Sequence, residues 1–102
     1  MKITIIQEDM KITIIQEDID NGKAGSAFHC PISNAVNRLY PTAKNNSYEY
    51  QKAVTGPFWI RHGNLSQRES YALPEEAIKF IYNFDTGNYV EPITFIAKRC
   101  EE

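Results

Sequence analysis

The pattern of apolar and polar positions along the chain divides it into segments of two periods. Lys11 to Gln16 is rich in β-branched residues and alternates, which predicts a strand. Residues 47 to 55 set Tyr48, Tyr50, Lys52 and Val54 against Ser47, Glu49, Gln51 and Ala53, and this alternation predicts another. Gly56-Pro57 signals a turn, and Phe58 to His62 predicts a short strand. Gly63 to Gln67 reads as loop, and Arg68 to Leu73 as a further strand. Val90 to Ala97 closes the chain as a strand in which Pro92, having no N–H for a ladder, predicts an edge position or a late start.

Two segments carry the helical period instead. Ile32, Ala35, Val36, Leu39 and Tyr40 fall on one stripe of a helix, with Pro31 at its first position and Pro41 stopping it. Pro74-Glu75-Glu76 opens the second, with acids where the macrodipole favours them, and Ala77, Ile78, Phe80, Ile81 and Phe84 form its apolar face. Asp85-Thr86-Gly87-Asn88 ends it. The acidic run Asp18 to Gly22 predicts a single helical turn or a plain turn, and Thr42 to Asn46 a polar loop. Two amphipathic helices must each bury a face, and a sheet with one apolar side receives them. The order strand, helix, two or three strands, helix, strand therefore predicts an α+β fold, an antiparallel sheet with two helices on one face. The ferredoxin-like arrangement is one topology this order admits.

Length and composition fit that picture and add one anomaly. With 102 residues, 42% hydrophobic and 24% charged, the chain has enough for one core. Its apolar runs are far below the roughly 20 residues a bilayer span needs. The N-terminus shows no secretory pattern, which predicts a cytosolic protein whose cysteines, Cys30 and Cys100, are free thiols. The anomaly is a duplication: residues 1 to 9 recur unchanged as residues 10 to 18. The second copy runs directly into Ile19-Asp20-Asn21-Gly22 and is the better strand candidate. Residues 1 to 9 are then a duplicated tail or an added edge strand, and residues 10 to 102 a single α+β domain.

The net charge of −2 conceals an asymmetry. Between residues 21 and 68, Lys23, Arg38, Lys44, Lys52, Arg61 and Arg68 face one acid, Glu49, while acids outnumber bases on both sides of this stretch. The basic island also carries Tyr40, Tyr48, Tyr50, Phe58 and Trp59, with His29 and His62. Cations interleaved with aromatic rings suit single-stranded nucleic acid, whose bases stack and whose phosphates pair. They equally suit a protein interface, where Tyr, Trp and Arg dominate. Taken singly, each ring is as well explained by sheet packing. The island as a whole predicts a partner-binding surface built from Lys44, Tyr48, Tyr50, Lys52, Trp59, Arg61, His62 and Arg68.

Catalytic constellations are weak by comparison. Cys30 precedes a helix start, where a thiol is activated, and His62 is a candidate base. A buried structural cysteine is the simpler reading. His29, Cys30, His62 and Cys100 lack paired zinc spacing. No acid pair has an acid–base setting, and the glycines form no phosphate cradle. The expectation is a protein without catalytic residues, metal or cofactor.

From Met10 onward the chain resembles a family of small phage and prophage proteins. The likeness lies in Gln16-Glu17-Asp18-Ile19-Asp20-Asn21-Gly22, in His29-Cys30-Pro31-Ile32 leading to Ala35-Val36, and in the closing segment Leu73-Pro74-Glu75-Glu76-Ala77, Phe80-Ile81, Phe84-Asp85-Thr86-Gly87, Val90-Glu91-Pro92 and Phe95. Such proteins include inhibitors of host immunity. The resemblance implies an anti-CRISPR protein of the type I-F class, acting in the host cytoplasm. It would bind subunits of a CRISPR ribonucleoprotein, and its guide RNA where exposed, to block target DNA binding. A phage accessory protein that binds RNA or DNA directly through the basic island is the alternative.

Overall fold

The computed structural model describes residues 9–40, 53–62 and 69–100. They form β1 (Met10–Thr13), α1 (Gln16–Asp20), α2 (Pro31–Leu39), β2 (Val54–Thr55), β3 (Trp59–His62), β4 (Glu69–Ala72), α3 (Glu75–Asp85) and β5 (Thr94–Arg99). The five strands make one antiparallel sheet in the order β1-β5-β4-β3-β2. This is the expected α+β fold, with a third, short helix. The ferredoxin-like order is not adopted. That arrangement ends on an edge strand, whereas β5 lies inside the sheet with β1 on one side and β4 on the other.

Alternation along the strands explains why the helices gather on one side. Met10 and Ile12 of β1 pair with Ala97 and Phe95 of β5, and all four are buried. Ile60 of β3, fully buried, pairs with Thr55 and with Tyr71, so the inner face continues across the sheet. Ile32, Ala35 and Val36 of α2 and Ala77, Phe80 and Ile81 of α3 join these residues in one core. Burying each large apolar side chain contributes about 1.5–3 kcal/mol. The stripe of α2 ends sooner than its period predicts, since Leu39 and Tyr40 are both 36% exposed.

Local chemistry sets the boundaries. Pro31 opens α2 behind Cys30, whose Sγ accepts the Ser33 N–H at 3.5 Å. Pro74 precedes α3, Glu75 and Glu76 fill its first turn, and Gly87 at φ 86° turns the chain out of it. The first strand is shorter than expected and stops at Thr13, because Gln16 already belongs to α1. The cause is Asp18, whose Oδ2 accepts the Ile15 N–H at 3.0 Å and caps that helix. At the other end of the chain, Pro92 delays β5 to Thr94. Of the strand expected over residues 47 to 55, Val54–Thr55 is β2, and residues 47 to 52 lie outside the described residues, as do Thr42 to Asn46 and the first duplicated copy up to residue 8.

Arg38 ties these elements together. Its guanidinium donates to both carboxylate oxygens of the buried Asp18, at 3.3 and 2.8 Å, and to the Thr13 carbonyl at 2.8 Å. Ile14 donates to the Ile93 carbonyl, so Ile14, Ile12 and Met10 turn their backbone groups toward β5, and Lys11 and Thr13 turn theirs to the open edge. Tyr40 Oη takes the second edge carbonyl, that of Lys11, at 2.7 Å. The exposed edge is thereby occupied from α2 and its cap. Hydrogen bonding to Asp18 raises the Arg38 pKa above its ordinary value, burial opposing it and the charges of Asp18 and Glu17 adding to it. A raised pKa stabilises below the unfolded-state value and is lost only as pH climbs through the folded one, so Arg38 holds its proton through neutral and moderately alkaline pH.

Removing one partner of a fully buried pair costs about 3–5 kcal/mol, and the Arg38 side chain is 38% exposed, which reduces that figure. Arg38→Ala is therefore expected to lower the unfolding free energy by about 2 kcal/mol, measured by urea denaturation. In a double-mutant cycle Asp18→Asn and Arg38→Ala should be non-additive; additive losses would mean that the pair does not couple the elements.

Candidate functional site: the open face of the sheet

The outward residues of the strands form a second face that none of the core-forming helical residues covers. Its register follows from the pairing. Trp59 lies opposite Ala72, and Ala72 opposite Lys98, giving one row across β3, β4 and β5. Arg61 lies opposite Ser70 in the next row, with Val54 on its other side. Lys11 of β1 lies opposite Ile96 of β5. The floor over β4 is small, Ser70 and Ala72, between taller side chains on strands that stand about 10 Å apart across it. Ala72, Arg61, Lys98 and Lys11 are exposed, and Ile96 is 45% exposed.

Trp59 and Arg61 form a unit at one side of this floor. They are two apart on β3 and so share a face, and the Arg61 guanidinium carbon sits 4.6 Å from the centre of the Trp59 ring. Gly56 lies under the same ring. A Cβ at Gly56 would stand 2.4 Å from Trp59 Cε2, so only glycine admits the indole here. The turn itself is closed by the Gly56 N–H donating to the Trp59 carbonyl at 2.7 Å. Among the described residues no carboxylate forms an ion pair with Arg61, Lys98 or Lys11.

The eight residues expected to bind a partner divide accordingly. Trp59 and Arg61 are brought together on the open face, and His62 closes β3 opposite Glu69. Lys44, Tyr48, Tyr50, Lys52 and Arg68 lie outside the described residues. Two members of the basic island have internal duties: Arg38 is held by Asp18, and Tyr40 caps the edge of β1. Conversely, Lys11, Ile96 and Lys98 belong to the open face but come from the acidic ends of the sequence. The signal for them was the alternation of Thr94, Ile96 and Lys98 with Phe95 and Ala97, which assigns them the side away from the core.

Cys30 has a structural position. It is 2% exposed, and its thiol meets Ser33 Oγ at 3.7 Å. Ser33 Oγ spends its single proton on the Ala27 carbonyl at 2.6 Å, so the Thr55 hydroxyl is the donor in the 2.7 Å contact between the two side chains. The Ala27 carbonyl also accepts the Thr55 N–H, which fastens β2 to the loop before α2. Asn37, one turn further along α2, accepts the Ala53 N–H at 2.9 Å and completes the attachment. Beside this network a cleft of about 210 Å³ is lined by Cys30, Thr55 and Asp85, but Asp85 Oδ1 is already bound by the Gly25 N–H. Among the described residues no group of three or more His, Cys, Asp or Glu is placed to hold a metal ion. No helix among them is long and apolar enough to cross a membrane.

The single tryptophan makes the Trp59 environment directly measurable. Gly56→Ala should displace the indole, cost about 1–3 kcal/mol, and shift the fluorescence maximum of the folded protein. An unchanged spectrum and an unchanged unfolding midpoint would show that the ring does not rest on Gly56.

No family model, no curated protein and no solved structure matches the chain.

Proposed function

We propose that the protein works by occupation: a phage-encoded anti-CRISPR protein that sets its open sheet face against a type I CRISPR ribonucleoprotein surveillance complex and blocks target DNA binding. The observation that carries this reading is the combination of a half-buried Trp59 ring, stacked by the exposed Arg61, with the exposed Lys98, Ile96 and Lys11 on a face no core helix covers. Arginine and tryptophan are the residues that dominate protein interfaces, and a rim of lysines steers the encounter with an acidic surface. Exposed guide RNA within the complex would meet the same cations. The resemblance to small phage proteins, carried by the segments around α1, α2 and α3, supplies the class of target.

Direct binding of free RNA or DNA is the second reading, favoured by three cations on one face that have no carboxylate partner among the described residues. The state of the ring weighs against it. Single-strand binders offer aromatic faces on which bases stack, and here Gly56 and Arg61 both take up surface of the indole.

Binding to purified type I effector, measured with and without target DNA, decides between them. Saturating protein is expected to abolish DNA capture, and unimpaired capture would reject the inhibitor reading. Arg61→Glu combined with Lys98→Glu should weaken effector binding by about tenfold to a hundredfold. An unaltered affinity would place the contact elsewhere. Tight binding to bare single-stranded RNA that falls steeply with salt would instead establish the second reading.

A further inference from the structure

We propose that the groove between α3 and the segment 88–93 is a separate docking surface, and that its occupant is a basic segment of a partner protein, with lysine or arginine side chains set beside apolar ones. Of the open-face strand residues only Thr94, at the start of β5, reaches its lining, and Trp59, Arg61, Ile96, Lys98 and Lys11 do not, so the two surfaces can be tested apart.

The groove exists because the chain stands off the helix between two fixed points. At one end the Asn88 N–H donates to the Asn83 carbonyl at 2.8 Å, with a further bond between the two side-chain amides at 3.3 Å. At the other end the Ile93 carbonyl accepts the Ile14 N–H at 2.8 Å. Pro92 keeps the intervening residues out of the β5 ladder. The result is a depression of about 450 Å³, within the size range of ligand sites, whose two anchored ends pre-organise it.

Its lining selects the occupant. Phe80, Val90 and Ile93 give it an apolar floor, and Tyr89 stands at its side 80% exposed. A large ring so far out of the core, next to apolar lining, offers area that a partner can cover. Glu76 and Glu91 border the groove, and among the described residues neither has an ion-pair partner. Lys79, the one cation among the described lining residues, is drawn to Glu75 at 3.6 Å one turn back on α3. A phosphate backbone would be repelled by Glu76 and Glu91, and a wholly apolar segment would leave them without a partner. A segment of alternating basic and apolar side chains meets both carboxylates, the Tyr89 π-face and the floor together.

The probe is a short peptide of alternating arginine and leucine, titrated into the isotope-labelled full chain and followed through backbone amide shifts. A control peptide carries glutamate in place of arginine. The arginine peptide is expected to shift Tyr89, Val90 and Ile93, and the glutamate peptide to bind at least about tenfold more weakly. Glu76→Gln with Glu91→Gln, both exposed, should weaken the arginine peptide by a similar factor without setting a cation in the first turn of α3, while Arg61→Glu leaves its affinity unchanged. Equal binding of the two peptides would overturn the proposal. Shifts on the Trp59 and Lys98 face with Tyr89 unmoved, or a groove response to single-stranded RNA in place of the peptide, would do the same.

Discussion

The contact between Asp18 and Arg38 is the constraint on which the N-terminal half of the sandwich depends. Asp18 is a carboxylate with almost no exposure, and a buried charge persists only where it is paired and hydrogen-bonded. It meets that condition through two bonds from Arg38 and one from the Ile15 N–H. The same guanidinium reaches the Thr13 carbonyl, so a single planar group fixes the spacing of β1, α1 and α2. Lysine could not hold the three oxygens with the same geometry, because its donors radiate from one point. The position of β1 matters to the rest, since β1 completes the inner face against which α2 packs and supplies Lys11 to the outer one.

Fastening continues along α2. Ser33 and Asn37, one turn apart, reach across to Ala27, Thr55 and Ala53, so the helix grips both the loop that precedes it and the strand that follows. The hydroxyl of Ser33 has every site filled, with one bond donated and the Thr55 and Cys30 groups donating to it. That complete pairing is what lets a serine, a threonine and a cysteine sit in the interior without a desolvation penalty. Through β2 and the Gly56 turn the chain of support ends at Trp59, the residue around which the open face is organised. Burial of polar groups on the inside and display of an aromatic ring on the outside are thus linked by one short strand.

How much of this was legible in the sequence depended on whether the responsible signal was local. The helix from Pro31 was, because a 3.6-residue stripe behind a proline has few other solutions, and α3 was for the same reason. Alternation gave β3, β4 and β5 to within a few residues. The short helix α1 was legible only as a helical turn or a plain turn over Asp18 to Gly22, two residues late, since Gln16 to Asp20 has no apolar stripe of its own; it starts at Gln16 because Asp18 caps it and Arg38, twenty residues away, neutralises the cap. Charge counted by segment also misled. Arg38 added to the basic island but serves the interior, and Lys11 and Lys98 were hidden in acidic ends although the sheet sets them on the same face as Arg61. Cross-strand rows assemble residues from distant parts of the chain, and no window along the sequence contains such a row. Five of the eight expected contact residues, Lys44 to Lys52 and Arg68, fall outside the described residues.

The pairing pattern also decides how charge is distributed in space. Among the described residues, positive side chains without ion-pair partners gather on the outer sheet face at Lys11, Arg61 and Lys98, while the α3 side carries Glu76 and Glu91. Glu76 stands on α3 and Glu91 in the chain leading into β5, outside the cross-strand rows that hold Arg61 and Lys98. Screening at physiological ionic strength has a length of about 8 Å, so exposed charges farther apart than that act on a partner largely independently. A net charge of only −2 therefore describes neither surface. Each face presents its own field to an approaching macromolecule, and a protein this small can distinguish an acidic partner from a basic one by which side it turns to meet it.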